Sequence, residues 1–173
     1  MKKKTKDIMF IWLLLGILYI LGIVSSFEFA IEKVQSTGID TNNPIIITTF
    51  ILVNIISLIM LFIQILVFSL ILYFIATVTG NNLNKKESLY IMSFTFLINM
   101  LSLIPLSIVN LFFSTEYIVI SNNYIYILLN PFLLLSIYAL YKLLKKNSVN
   151  IKLLSIFIPI YYIIQVIIQF LNN

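Results

Sequence analysis

Hydrophobic runs dominate this chain, and short polar stretches cut it into segments. The first run, Ile8 to Phe27, is entered from Lys2, Lys3, Lys4 and Lys6. About 20 residues at ~1.5 Å each match a ~30 Å hydrocarbon core, so a membrane-crossing helix is expected. A cationic start before an apolar stretch also describes a signal peptide. This apolar core is longer than most of theirs, and Phe27-Glu28-Phe29-Ala30 lacks the small-x-small cleavage pattern. A retained signal-anchor helix is the expectation.

Residues 28–43 form the most polar connection, with Glu28, Glu32, Lys33, Gln35, Gly38, Asp40, Asn42 and Asn43. Asn43-Pro44 then predicts a helix start, Asn as N-cap and Pro at the first helical position. The run that follows, Ile45 to Val78, would reach roughly 50 Å as one helix. Two half-spans would need Gly, Pro or clustered polar residues near the middle. Only Asn54, Ser57 and Gln64 are there, which predicts one long span.

Thr79 to Glu87 breaks the pattern, with Gly80 placed as a helix stop. A third span is expected from Ser88 to Phe113, containing Pro105, followed by a polar link from Ser114 to Asn123 that includes Glu116. The fourth, Tyr124 to Leu144, is interrupted at Asn130-Pro131. The fifth, Leu153 to Leu171, contains Pro159 and ends at Asn172-Asn173. The predicted fold is all-α: one transmembrane domain over residues 1–173, a bundle of five spans.

Charge sets the orientation. With the N-terminus cytoplasmic and the C-terminus extracellular, inner segments hold 10 of the 11 lysines and only two acids, Asp7 and Glu87. Outer segments hold Glu28, Glu32, Asp40 and Glu116 with the single Lys33. This is the positive-inside pattern at every loop. Splitting Ile45–Val78 in two would put Lys85 and Lys86 outside, so charge also rejects a hairpin there.

Composition agrees with lipid as the solvent. The chain is 61% hydrophobic and 10% charged, against about 25% charged in soluble domains. All basic residues are lysine; with abundant Ile, Asn, Phe and Tyr, this points to an AT-rich genome and the plasma membrane of a low-GC bacterium. The net charge of +5 lies at the ends of hydrophobic runs, where it fixes orientation. No nucleic acid is expected as a partner; the bilayer is, together with a membrane-protein partner.

Histidine and cysteine are both absent, which excludes disulfides, imidazole or thiolate metal sites, and histidine or cysteine catalysis. No ionisable residue lies in the middle of a predicted span, where coupled transporters usually keep one. Neither enzymatic activity nor a cofactor is expected. The polar residues within spans are Asn54, Ser57, Gln64, Ser69, Asn99, Ser102, Asn110, Asn130, Ser136, Gln165 and Gln169. They suit interhelical hydrogen bonds of about 0.6 kcal/mol each, or the lining of a substrate path. Asn99, Ser102 and Pro105, three apart, share one helix face. With Asn130 and Pro131 they are the candidate functional or kink positions. Gly16 and Gly22 are six apart, which is not a four-residue packing motif. Tyr124, Tyr126, Tyr138, Tyr141, Tyr161 and Tyr162 suit an interfacial belt. Lys85, Lys86, Lys142, Lys145, Lys146 and Lys152 are candidate contacts for anionic lipid or a cytoplasmic partner.

Residues 73–113, from Tyr73-Phe74-Ile75-Ala76-Thr77-Val78-Thr79-Gly80 through Asn84-Lys85-Lys86-Glu87-Ser88 to Leu103-Ile104-Pro105-Leu106, resemble the Yip (Ypt-interacting protein) domain family. The shared features are a long second span, a Gly-containing polar loop, a Lys-x-Ser-like entry and a late Pro in span three. The loop Lys145 to Lys152 is similar to the family's link into its final span. The resemblance implies a membrane protein without enzymatic activity. The long cytosolic N-terminal segment of eukaryotic members, which act with small GTPases, is not seen here.

The leading functional expectation is therefore an accessory subunit or modulator of a membrane complex. The alternatives are a transport component, as substrate-binding or permease subunit, and an immunity protein against a bacteriocin or other antimicrobial peptide.

Overall fold

The computed structural model describes residues 2–36, 44–113 and 127–171, and every regular element among them is a helix. The predicted cap Asn43, the polar link 114–123 with Glu116, the start of the fourth span at Tyr124 and the final Asn172-Asn173 lie outside the described residues.

Helix α1 runs from Lys2 to Gln35, eight residues past the expected end at Phe27. Nothing from Glu28 to Gln35 breaks a helix; the first breaker is Gly38. Residues 28–35, expected in a polar connection, thus extend α1. Ala30, Ile31 and Val34 on that extension face Ile45, Ile46 and Thr49 across a shared groove.

Helix α2, Pro44–Val78, is one unbroken helix of 35 residues, about 52 Å long. Pro44 stands at its first position, as predicted. Gly80 ends it with φ +73°. There Asn81 N–H reaches Ala76 O at 2.8 Å and Gly80 N–H reaches Thr77 O at 3.1 Å, a closure that satisfies the last carbonyls.

The expected third span is two helices, α3 (Lys85–Met100) and α4 (Leu103–Phe112). Pro105 has no N–H to give to Leu101 O, four residues back. Ile104 N–H takes that carbonyl instead at 3.1 Å, in a tighter turn. At its start α3 carries a capping box, Asn84 Oδ1 accepting from Glu87 N–H at 2.9 Å while the Glu87 side chain accepts from Asn84 N–H at 3.3 Å.

Helix α5, Pro131–Lys146, begins where the sequence shows an interruption. Asn130 Oδ1 accepts from Phe132 N–H at 3.0 Å and Leu133 N–H at 3.4 Å. Its 16 residues cover about 24 Å, less than a bilayer core. Helix α6, Ile151–Leu171, carries Pro159 internally. Among the described residues, four stretches are long and apolar enough to cross a membrane: Thr5–Gln35, Pro44–Val78, Lys85–Phe112 and Ile151–Phe170.

Helix α3 sits in the middle, against α1, α2 and α5. Trp12 Nε1 donates to Ser93 Oγ at 2.8 Å and Ser107 Oγ donates to Ser25 Oγ at 3.1 Å. These two ties, 13 residues apart on α1 and 14 apart on α3–α4, make the two run parallel. Ring pairs Trp12–Phe62 at 4.9 Å and Phe27–Phe50 at 5.3 Å make α2 antiparallel to α1. Helix α6 opposes α2 through Phe68–Tyr161 at 5.3 Å. The core is apolar and aromatic, with Leu15, Ile65, Phe68, Leu72, Ile91, Met92, Phe96, Leu140, Phe157 and Tyr161 buried. On α2 the buried residues lie between Ile65 and Ala76, with Leu61 and Phe62 partly buried against the core. The other half of α2 leaves Ile45, Ile51, Leu52, Ile55, Ile56 and Met60 exposed, as lipid-facing surface allows.

Candidate functional site

Two places gather the polar chemistry. One is the end of the bundle where α1 begins and where the α2–α3 and α5–α6 turns meet. There Asn150 N–H donates to Asn81 Oδ1 at 2.7 Å and Asn150 Nδ2 donates to Thr79 O at 2.7 Å. Asn81 Nδ2 in turn donates to Thr79 Oγ1 at 2.8 Å. This clasp brings Lys85 and Lys86 to the same end as Lys142, Lys145, Lys146 and Lys152, all six exposed. Lys85 lies over the Tyr73 ring at 5.6 Å, Lys142 over Tyr138 at 5.4 Å and Lys145 over Tyr141 at 5.7 Å. An aromatic body under a cationic tip is the arrangement that suits a headgroup layer.

The other place is a polar layer in the core. Tyr161 is fully buried among Phe68, Phe96 and Phe157. Among the described residues its hydroxyl has no well-formed hydrogen bond, although the Ser136 side chain lies beside it. The Ser136 hydroxyl is turned to Leu133 O at 2.7 Å. One turn further along α6, Gln165 is also buried and its Nε2 is unpartnered.

Heights within the bundle follow from the aromatic contacts. Phe68, Phe96 and Tyr161 are mutual neighbours. One turn beyond them lie Gln64 on α2, Met100 on α3 and Gln165 on α6. The α3–α4 break at Leu101–Ser102 follows directly. Tyr162 Oη donates to Leu128 O at 2.9 Å, which holds the start of α5 close to the same height. Both helix breaks and Gln165 therefore share one layer.

The five candidate kink positions occupy the two breaks, with different roles. Ser102 Oγ donates to Asn99 O at 3.0 Å, a bond within its own turn, and Pro105 is exposed. Asn130 is buried as the cap of α5 and Pro131 is its first residue. Tyr161 departs from expectation: it is a core residue, not part of an interfacial belt, because its ring fills the space between α2, α3 and α6. Tyr138 and Tyr141 do lie with the lysines at the bundle end, and Tyr124 and Tyr126 fall outside the described residues.

Sequence reasoning missed Asn81 and Asn150, whose pairing depends on two turns meeting in space. It also missed the cap of α3, although Asn84-x-x-Glu87 carries the capping-box spacing. Nothing in the sequence announces Trp12–Ser93 or Ser25–Ser107.

Chemically, the layer offers amides and hydroxyls that can donate to or accept from a neutral group. Among the described residues no cluster of acidic side chains could hold a metal ion. Comparison with protein-family models, curated proteins and solved structures gives no match.

Proposed function

We propose that this chain is a non-catalytic integral membrane protein acting as an accessory subunit or modulator of a membrane complex. It crosses the plasma membrane of a low-GC bacterium five times, with its N-terminus in the cytoplasm and its C-terminus outside. The resemblance to the Yip domain family implies a membrane protein without enzymatic activity, which is consistent with this role.

Helix directions support the crossing number. Helices α1, α3–α4 and α6 run away from the lysine-bearing end, and α2 and α5 return to it. Helix α5 runs back toward the lysine-bearing end, as the inner part of a fourth crossing would. Lysines concentrate at the end assigned to the cytoplasm, whereas Glu32 and Lys33 lie near the other end of α1.

One observation carries the functional reading. The polar groups inside the bundle are amides and hydroxyls, and several tie helix to helix: Trp12–Ser93, Ser25–Ser107 and Tyr162–Leu128. Such groups assemble helices; they do not exchange protons with a driving ion. Reconstitution of the purified protein alone tests the reading. Movement of a solute across liposomes would overturn it.

The Tyr161 hydroxyl and Gln165 Nε2, without a hydrogen-bond partner among the described residues and level with two helix breaks, favour a second reading: a transport component. Broken helices and open polar groups at one depth are how transporters build a binding layer. A small molecule retained through purification and lost in Gln165→Leu would favour this reading over the first.

A further inference from the structure

We propose that the groove between α1 and α2 around Asn54 is the surface at which two copies of this chain pair within the membrane. The inference rests on the reading that the protein works by association.

Depth comes first. Tyr19 Oη donates to the backbone carbonyl of Asn54 at 3.2 Å, which fixes the two at one height. Tyr19 lies eleven residues after Ile8 and eight before Phe27, about 16 Å and 12 Å along the helix axis. Asn54 is therefore near the middle of the hydrocarbon, where water does not compete for polar groups.

Its carboxamide is only partly satisfied there. Asn54 Nδ2 donates one proton to Phe50 O at 2.8 Å. The second N–H and Oδ1 have no partner among the described residues, and the side chain is half-exposed. Its polar neighbours on α2 differ. The hydroxyls of Thr48, Thr49 and Ser57 each donate their one proton to a carbonyl four residues back, at 2.8, 2.8 and 2.9 Å. Asn54 is left with both an open donor and an open acceptor.

The amide opens into a groove of about 230 Å³, whose other walls include Ile20, Ile23, Ile51, Ile55 and Leu58. A lipid chain can fill this space but offers nothing to the amide. A second carboxamide offers both a donor and an acceptor. Two copies of Asn54 facing each other across a two-fold axis close two N–H···O bonds, and the same patch serves both partners. Exposed Ile51 and Ile55 flank the pair and supply the apolar contact around it. Interhelical amide bonds of this kind hold helices together in lipid.

The absence of cysteine makes the test clean. Single cysteines are placed at Ile51 or Ile55, and at the exposed Phe74 on the inner half of α2 as control, in the full chain in membranes. Mild oxidation is expected to give disulfide-linked dimers from Ile51→Cys or Ile55→Cys at least tenfold above Phe74→Cys. Adding Asn54→Leu should remove that excess, whereas Ser57→Ala should keep it; unchanged Trp12 fluorescence in both variants shows that the fold is retained. Crosslinks at the control level, or crosslinks indifferent to Asn54→Leu, overturn the proposal. Loss of crosslinking in Asn54→Leu supports the pair even if the purified protein moves a solute. Absent crosslinks overturn the pair even if another membrane protein co-purifies.

Discussion

Asn150 and Asn81 join the two turns at the lysine-bearing end, the backbone N–H of Asn150 meeting Asn81 Oδ1 at 2.7 Å. The same Asn150 accepts from Leu153 N–H through Oδ1 at 3.0 Å, starting α6, and its Nδ2 holds Thr79 O. One side chain thus caps a helix and fixes where that helix stands against α2.

Asn150→Ala should therefore cost about 2 kcal/mol, from a lost cap and a lost side-chain bond. Asn147 is the matched control: it is exposed and its Nδ2 bonds only Leu143 O of its own helix. Asn147→Ala should cost less than about 0.5 kcal/mol. Thermal unfolding of both in the same detergent checks the difference.

Gly80→Ala isolates the backbone. A Cβ at Gly80 would meet nothing within 4 Å, yet its φ is +73°. The expected loss is about 1–2 kcal/mol from the left-handed conformation alone, and Gly80→Asn should cost less than Gly80→Ala. Equal stability of Gly80→Ala and the parent would contradict the helix closure described here.

Gly80, Pro44 and the unbroken 35 residues from Pro44 to Val78 were legible because each rule involved is local. A glycine stop, a first-turn proline and an uninterrupted apolar run need no knowledge of neighbours. The end of α1 was less legible: Glu28, Glu32 and Lys33 read as a loop by polarity, but helix formation does not require apolar residues. Tyr161 shows the limit of a compositional rule, since a tyrosine near a predicted span end suits the interface until packing with Phe68 and Phe96 places it in the core. The Asn81–Asn150 pair was out of reach, because sequence separation hides contacts that form only when helices pack.

Trp12 and Ser93 provide a test of interhelical bonding. Ser93 is fully buried and receives the indole proton at 2.8 Å. A double-mutant cycle of Trp12→Phe and Ser93→Ala should give a coupling of about 0.6 kcal/mol and not above ~1.7. Because Trp12 is the chain's one tryptophan, Ser93→Ala should also shift its fluorescence emission. No coupling would mean that the bond contributes nothing to assembly.

Adjacent tyrosines should respond with opposite sign. Tyr162→Phe gives up a bond to Leu128 O and should destabilise by about 0.5–1 kcal/mol. Tyr161→Phe removes a buried hydroxyl that has no partner; it should be neutral or stabilising. Thermal melts of the two variants side by side decide this, and a large loss in Tyr161→Phe would reveal a bonded hydroxyl.

Topology can be read with a membrane-impermeant thiol reagent. Cysteines at Gly38 and Glu116 should label from outside intact cells, and one at Asn82 should not. Labelling at Asn82 would overturn the five-crossing arrangement.

The association reading itself is tested most directly by affinity purification from native membranes in mild detergent, with mass spectrometry of proteins and small molecules. The expected result is a second, stoichiometric membrane protein alongside this chain. A chain that purifies without another protein and carries a defined small molecule would contradict it, and would move the function to transport.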